Sequence, residues 1–253
     1  MGKRSPQKTN RKGSRAKRSN IGKVFKRLIW SVETIVVIIL IVAAASALWA
    51  GAYRFMSPPI TLTMIERQSA GVDIRHPYVP LGEISPHLIR AVIASEDSRF
   101  CSHGGIDMEA IDIALAEYKN GKRLRGASTI TQQTAKNAFL WNGGGWLRKG
   151  GEAWMAILIE TMWPKSRIIE VYLNIAEWGD GRFGAEAAAQ GHFGKSVKDL
   201  TPGEAALLAA VLPSPNKWRV KNPGPYVRGR AATLSKRMNI VDRDGLDRCV
   251  FKK

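Results

Sequence analysis

The sequence is poor in the residues that build disulfide frameworks and metal clusters. Its 253 residues include two cysteines, Cys101 and Cys249, and four histidines scattered along the chain. The cysteines are too few and too far apart to indicate a disulfide-stapled scaffold or a zinc site, although their pairing is left open. The histidines show no metal-ligand spacing, so the sequence argues against a His/Cys metal centre.

Acidic residues are also scarce. The chain has 21 aspartates and glutamates and 39 lysines and arginines, which gives a formal net charge of +18. It is nevertheless 45% hydrophobic, with 8 tryptophans and 7 phenylalanines, which is too apolar for a disordered protein. The length leaves room for one domain of catalytic size plus an appendage, and it argues against two active centres in one large globule.

The positive charge is concentrated at the N-terminus. Residues 1–33 contain eleven lysines and arginines and one acid, Glu33, so they carry about +10 of the net charge. A basic arm of this kind indicates either nucleic-acid binding or the cytoplasmic flank of a membrane span. The next segment distinguishes these two possibilities.

An uncharged run extends from Thr34 to Tyr53. A helix of this length spans about 30 Å, the thickness of the hydrocarbon core of a bilayer. The alternatives are a buried core helix and a signal peptide, for which the small residues from Ala43 to Ala47 would supply a cleavage region. Together with the basic arm, the run predicts an uncleaved single-pass anchor with its N-terminus in the cytoplasm, and DNA is then excluded as a partner of the folded domain.

The remaining pattern predicts a mostly α-helical protein, because alternating strand patterns are scarce. Proline spacing predicts an extended linker before the folded domain. The predicted parts are a basic tail over 1–29, a transmembrane anchor over 30–53, a linker over 54–80 and a catalytic domain over 81–253. Helices are predicted from Pro86 to near Asp97, over 106–118, 147–162, 166–174 and 185–190, and from a capping box at Thr201 up to Pro213.

Four polar patches contain residues that can carry chemistry. Glu96 and Asp97 lie at a predicted helix end before a glycine-rich turn, which suits a general base. The patch over 126–137 combines hydroxyls, amides and a lysine, and the patch over 148–152 places two cations at a helix start. The fourth, over 165–184, has Glu170 and Asn174 on one helix face, where they can brace a site. Taken singly, each patch is better explained as a solvated helix end or a surface helix.

The order of these patches behind one anchor is specific. They read EDSRFCSHGGID (96–107), GASTITQQTAKN (126–137), RKGGE (148–152) and KSRIIEVYLNIAEWGDGRFG (165–184). These blocks closely resemble the signature blocks of the peptidoglycan glycosyltransferase family, which includes the transglycosylase domain of bifunctional penicillin-binding proteins. The resemblance extends from about Ile84 to Pro225. Because the chain reaches only residue 253, it leaves no room for a transpeptidase domain, and a monofunctional member is expected.

The resemblance implies a reaction. Such enzymes polymerise lipid II into β-1,4-linked glycan strands by inverting transfer and release undecaprenyl diphosphate. The implied general base is Glu96. The implied second essential carboxylate is Glu152, which we expect to orient cations or a divalent ion because a diphosphate leaving group needs no proton donor. Lys136, Arg148 and Lys149 are expected to supply countercharge to that diphosphate.

The resemblance also implies further site residues and a fold. Cys101 occupies a variable position of the first block and is expected only to pack. The implied fold is a lysozyme-like helical lobe with a smaller membrane-associated jaw at about 108–147. Ser128, Thr129, Gln132, Gln133 and Asn137 are expected to hold sugar and phosphate oxygens, and Asp97, His103, Glu170, Tyr172 and Asn174 to bind substrate or support the site.

No organic cofactor is implied, and whether a divalent cation, Mg²⁺ or Mn²⁺, binds at Glu96 or Glu152 is left open. The implied partners are lipid II, the growing glycan strand, membrane lipids and other proteins of cell-wall synthesis or division, and nucleic acid is not among them. The implied location is the bacterial inner membrane, with the catalytic domain in the periplasm. The alternatives are a lysozyme-like hydrolase and a non-catalytic scaffold that tethers anionic polymer to the membrane.

Overall fold

The computed structural model describes residues 12–122 and 126–251, with side chains for Trp30 and from residue 32 onward in these ranges. The described residues form helices joined by turns and two isolated β-bridges, so the prediction of a mostly α-helical protein is confirmed. The chain divides into two compact units, one up to Trp49 and one from Ala50 onward. The helices are α1 (Lys12–Phe55), α2 (Leu62–Ser69), α3 (Pro86–Glu96), α4 (Met108–Lys119), α5 (Ile130–Phe139), α6 (Gly145–Met162), α7 (Lys165–Ile175), α8 (Ala185–Phe193), α9 (Pro202–Val211), α10 (Pro225–Arg243) and α11 (Arg248–Phe251).

Helix α1 contains the long apolar run. Its segment Val32–Phe55 has 24 residues and a mean hydropathy of 2.6, so it is long and apolar enough to cross a membrane. The anchor predicted over 30–53 lies within α1. The basic tail predicted over 1–29 falls partly on residues 1–11, which lie outside the described part of the chain.

The core of the second unit forms around helices that are apolar on most sides. Helix α9 buries Leu208 and Val211 completely, and α7 does the same with Ile168 and Ile169. A helix that is apolar all round must be covered by neighbours on several sides. Accordingly, α9 packs against α3 and α10, and α5 packs against α6 and α7.

Proline and capping signals predict several helix ends correctly. Helix α3 begins at Pro86, and α7 begins directly after Pro164, as expected for proline at or before a first turn. At the start of α9 the Thr201 hydroxyl accepts from the Glu204 N–H (3.3 Å), while the Glu204 carboxylate accepts from the Thr201 N–H (2.9 Å). The predicted capping box is therefore confirmed.

Helices α2 and α10 are among those that differ from the sequence expectation. The segment 54–80, expected to be extended, contains α2, which Thr61 caps by accepting from the Met64 N–H (3.2 Å). Helix α2 has eight residues and buries one of them, Met64, so its apolar pattern is too short to predict a helix. Helix α10 buries apolar residues at helical spacing, namely Val227, Ala231, Leu234, Met238 and Val241. The sequence therefore supports this helix, although none was predicted there.

Cys101 and Cys249 form a disulfide, so the expectation that Cys101 only packs is wrong. Helix α10 packs along α3 and brings α11 beside the loop that follows α3, with 5.5 Å between the two Cα atoms. Arg90 on α3 reinforces this return through ion pairs with Asp242 and Asp247, each at 2.7 Å. Sequence separation alone cannot reveal such a pairing, because it depends on a long-range helix contact.

We expect Cys249→Ser to lower the free energy of unfolding by about 2–5 kcal/mol, because the bond closes a loop with a sequence separation of 148 residues. Denaturant unfolding of the full chain in detergent measures the change. Reductant should bring the wild type to the stability of the variant and leave the variant unchanged. Equal denaturation midpoints for the wild type and Cys249→Ser in the absence of reductant would contradict this expectation.

Candidate active site

Glu96 is the last residue of α3 and lines a cavity of about 470 Å³, here called the Glu96 cavity. Its Oε1 accepts from the Ser95 hydroxyl (2.8 Å) and its Oε2 from the Gln133 amide (3.1 Å). Both partners are neutral donors. A helix C-terminus disfavours a carboxylate electrostatically, and the charged group nearest to Glu96 among the ion pairs of the described residues is Arg230, at 3.9 Å.

Arg230 on α10 is a site residue that the sequence motifs do not indicate. Its Nη2 donates to the Ser95 Oγ (2.9 Å) and lies 3.9 Å from Glu96 Oε1. Arg237, also on α10, lines the same cavity. Arg230 lies in a helix rich in basic residues, and only the packing of α10 on α3 distinguishes it from its exposed neighbours.

Asp97 and His103 form a buried pair beside Glu96. His103 Nδ1 accepts from the Gly105 N–H (3.2 Å), so Nε2 carries the hydrogen and donates to Asp97 (2.9 Å to Oδ1). Asp97 Oδ2 also accepts from the N–H of Ile130, the first residue of α5 (3.0 Å). A carboxylate at a helix N-terminus is stabilised by the free N–H groups, so Asp97 fixes the start of α5 relative to Glu96.

The start of α5 is held by a second capping box. Thr129 Oγ1 accepts from the Gln132 N–H (3.1 Å), and the Gln132 side chain accepts from the Thr129 N–H (3.0 Å). Thr129 and Ser128 both line the Glu96 cavity, whereas Gln132 is buried as part of the cap. The second predicted patch is therefore a mixture of helix-capping and cavity-lining residues.

Asp97, His103 and Asp107 are close enough to form a possible metal-binding group, with one ligand atom of each within 4.8 Å of the others. Their polar atoms already have protein partners. Asp107 caps α4 by accepting from the Ala110 N–H (2.9 Å) and pairs with Arg99 (3.3 Å). These bonds account for the arrangement without a cation.

A second cavity of about 300 Å³, the Lys136 cavity, adjoins the first through Gln133. It is also lined by Lys136, Asn137 and Tyr172. Tyr172 is fully buried and its OH donates to Gln133 Oε1 (3.3 Å), which turns the Gln133 NH₂ group towards Glu96. Burial, and then the negative charge of Glu96, raises the pKa of Tyr172 well above its ordinary value, so the hydroxyl remains a neutral donor.

Three cations surround the buried carboxylate of Glu152 on α6. Arg148 Nη1 lies 2.7 Å from Glu152 Oε2, Lys149 pairs with Oε1, and the Lys149 ammonium also donates to Ser128 (3.3 Å). The spacings i,i+4 and i,i+3 place all three side chains on one face of the helix. Lys136 forms no hydrogen bond or ion pair with residues in the described ranges, so its ammonium is a spare donor.

The charge on Lys136 is sensitive to this environment. Burial lowers the pKa of Lys136, Glu152 raises it, and Arg148 and Lys149 lower it further. The balance leaves the pKa below its ordinary value. The negative charge of Glu152 therefore offsets part of the repulsion among Lys136, Arg148 and Lys149.

Glu170 and Asn174 lie on one face of α7, as the spacing predicts, and both bind the segment before α3. Glu170 accepts from the Tyr78 hydroxyl (2.5 Å) and the Leu81 N–H (2.8 Å). Asn174 exchanges two hydrogen bonds with the backbone of Val79 (2.8 and 2.9 Å). They anchor residues 78–81, and neither lines the Glu96 or Lys136 cavity.

The arrangement brings one carboxylate with neutral partners next to a set of converging cations. Glu96 and Lys136 line neighbouring cavities that Gln133 connects by its hydrogen bond to Glu96. Glu152 holds Arg148 and Lys149, of which Lys149 donates to the cavity-lining Ser128. This combination can take a proton at one point and stabilise a developing anionic leaving group at another.

Comparisons with a family model and with known proteins point to the same family. A family model described as transglycosylase matches residues 63–241. The chain is 58% identical over 200 residues to the biosynthetic peptidoglycan transglycosylase of Rhodospirillum centenum, covering 79% of this chain and 87% of the relative. It is 46% identical over 230 residues to the protein of that name from Caulobacter vibrioides, covering 91% and 100%, and 46% identical over 227 residues to that from Pseudomonas aeruginosa, covering 87% and 93%.

Proposed function

The chain belongs to the transglycosylase family and is a peptidoglycan glycosyltransferase of cell-wall biosynthesis, and we propose that it polymerises lipid II with Glu96 as the general base. The observation that carries this proposal is the juxtaposition of Glu96, held by neutral donors, with the cations around Glu152. A glycosidase would instead need a second carboxyl group facing the reaction centre as a proton donor.

In the proposed reaction the 4-hydroxyl of the acceptor GlcNAc attacks the anomeric carbon of the growing strand. The new O4–C1 bond forms as the bond from C1 to the diphosphate oxygen breaks, so the configuration inverts from α to β. The hydroxyl proton passes to Glu96. Deprotonation by a positioned base contributes about 10²- to 10⁴-fold to such reactions.

The undecaprenyl diphosphate leaves as an anion and requires positive charge. We assign this role to Lys136 and Arg148, with Lys149 at the edge of the site. Glu152 is the orienting residue, because two cations already occupy its oxygens. Ser128, Gln133 and Asn137 contact substrate in this proposal. Asp97, His103, Thr129 and Gln132 support the site by fixing α5, Tyr172 by orienting Gln133, and Glu170 and Asn174 by anchoring residues 78–81.

A divalent cation fits the candidate carboxylates unequally. Glu152 fits poorly, because an ion there would have to displace Arg148 or Lys149. Each oxygen of Glu96 accepts one hydrogen bond from a neutral group, and the guanidinium of Arg230 lies 3.9 Å from Oε1, so a Mg²⁺ or Mn²⁺ ion would meet a weaker ion pair here than at Glu152. Bound there, the ion would supply positive charge near the diphosphate, and no organic cofactor is required.

We further propose that α1 anchors the enzyme in the bacterial inner membrane, with the basic N-terminus in the cytoplasm and the catalytic unit in the periplasm. The disulfide supports an oxidising compartment for the unit that contains it.

The jaw over 108–147 stays a prediction: its residues 123–125 lie outside the described chain, and α5 within it belongs to the core. Trp146, Leu147 and Met108 are strongly exposed and suit contact with membrane lipids. Recruitment by other proteins of cell-wall synthesis or division belongs to this proposal as well.

Incubation of the purified full chain with lipid II tests the function. We expect long glycan strands and released undecaprenyl diphosphate. Preformed glycan strands serve as the control substrate. Shortening of those strands without synthesis from lipid II would identify a hydrolase and contradict the proposal.

A further inference from the structure

A third cavity lies apart from the residues assigned to the reaction. This basic pocket has a volume of about 330 Å³ and is walled by the loop after α7, by α8 and by the segment after α9. Its charged side chains are Arg182, Arg219, Lys221 and one acid, Asp180, which pairs with Arg182 (3.0 Å). Arg219 and Lys221 are exposed, and neither forms an ion pair with a residue in the described part of the chain.

The wall of the pocket contains buried donors without acceptors. Trp178 Nε1 and Arg182 Nε are buried and have no hydrogen-bond partner among the described residues. A Cβ at position 191 would lie 2.0 Å from Arg182 Nε, so Gly191 allows the guanidinium to lie against α8. Leaving such N–H groups unpaired costs stability, so the packing of Arg182 against α8 is maintained at some cost.

The electrostatics of the pocket favour an anion. Burial lowers the pKa of His192, and the charges of Arg182 and Lys221 lower it further, so the imidazole is neutral near pH 7. The three permanent cations then exceed the single acid. An anion that enters meets unpaired charge at Arg219 and Lys221 without first displacing a protein carboxylate from either.

The basic pocket adjoins the Lys136 cavity. Pro215 lines both this pocket and the Lys136 cavity. The wall between them is fixed by Asn216, which donates to Glu177 (3.1 Å) and accepts from Arg67 (3.1 Å). Gln133, which lines the Lys136 cavity, donates to Glu96 (3.1 Å), so the Lys136 cavity has neighbours in both the basic pocket and the Glu96 cavity.

We propose that the basic pocket binds a carboxylate of the peptide stems carried by the growing glycan strand. The inference rests on the proposed function and adds that the donor strand leaves the Lys136 cavity past Pro215, which lines both cavities. Peptide stems bear free carboxylates, and guanidinium and ammonium groups recognise a carboxylate through charge-assisted hydrogen bonds. The ring of Trp218 adds an apolar surface for the stem.

Binding of a soluble disaccharide-pentapeptide fragment to the full chain in detergent tests the proposal. Equilibrium dialysis compares the fragment with free carboxylates and the same fragment with its carboxylates converted to amides. We expect the double variant Arg219→Ala/Lys221→Ala to bind the free-carboxylate fragment about threefold or more weakly than the wild type. Both residues are exposed, so the variant should keep the thermal midpoint of the wild type.

The matched control is Lys217→Ala/Lys236→Ala, which removes the same charge from exposed positions that line none of the three cavities. The control should bind like the wild type, and amidation should weaken wild-type binding to the level of the pocket variant. Equal losses in the two double variants, or wild-type binding that is indifferent to amidation, would overturn the proposal. Polymerisation of lipid II by the same preparations reports on the proposed function separately, because the fragment carries no lipid diphosphate.

Discussion

Glu96→Gln should reduce the turnover of lipid II by about 10²- to 10⁴-fold, because the amide cannot accept the proton of the attacking hydroxyl. The substitution preserves size and can still accept from the Ser95 hydroxyl, so the loss should appear in kcat more than in KM. Quantification of glycan product over time with saturating lipid II measures the effect. The thermal unfolding midpoint should stay within a few degrees of the wild type.

Glu83→Gln is the control, since Glu83 is exposed, pairs with Lys198 and lies outside both reaction cavities. This variant should polymerise at the wild-type rate. A Glu96→Gln enzyme that retains a tenth or more of wild-type turnover would remove Glu96 as the base. Full retention of cellular function by that variant would instead favour the non-catalytic scaffold.

The sequence indicates the candidate reactive residues better than the residues that reach the site through tertiary packing. Glu96, Lys136 and Glu152 lie in contiguous motifs whose order is specific, so the resemblance alone is enough to propose them as site residues. Arg230 reaches Ser95 and Glu96 only because α10 packs on α3, and a helix with many basic residues gives no local signal for one of them. The disulfide was missed for the same reason, because it joins elements that only the fold brings together.

Local sequence patterns also indicate which residues share a helix face better than they indicate what that face contacts. The i,i+4 spacing places Glu170 and Asn174 on one side of α7, which the structure confirms. What that side contacts is the backbone of residues 78–81, and no periodicity encodes this contact. Likewise, capping chemistry locates the start of α9, whereas the short amphipathic helix α2 carries too few buried residues to be recognised.

Lys136→Met should lower kcat/KM for lipid II by about 10²- to 10³-fold, because it removes a converging donor from the developing diphosphate. The pH profile adds a test of mechanism. Burial lowers the pKa of Lys136 below its ordinary value, so the active ammonium is lost as pH rises through that lowered pKa. The alkaline limb of wild-type kcat/KM, where activity declines, should therefore begin at a lower pH than the ordinary pKa of an exposed lysine would produce.

Lys136→Arg tests the positive charge at this position separately from the loss of that charge at high pH. Arginine stays protonated across the measurable range, so this variant should retain more activity than Lys136→Met and should lose the alkaline limb. Glu152→Gln should shift the limb of the wild-type lysine to still lower pH, because Glu152 raises the pKa of Lys136 while Arg148 and Lys149 lower it. An alkaline limb that is identical in the wild type and Lys136→Arg would assign the titration to another group, and unchanged kcat/KM in Lys136→Met would remove Lys136 from the diphosphate site.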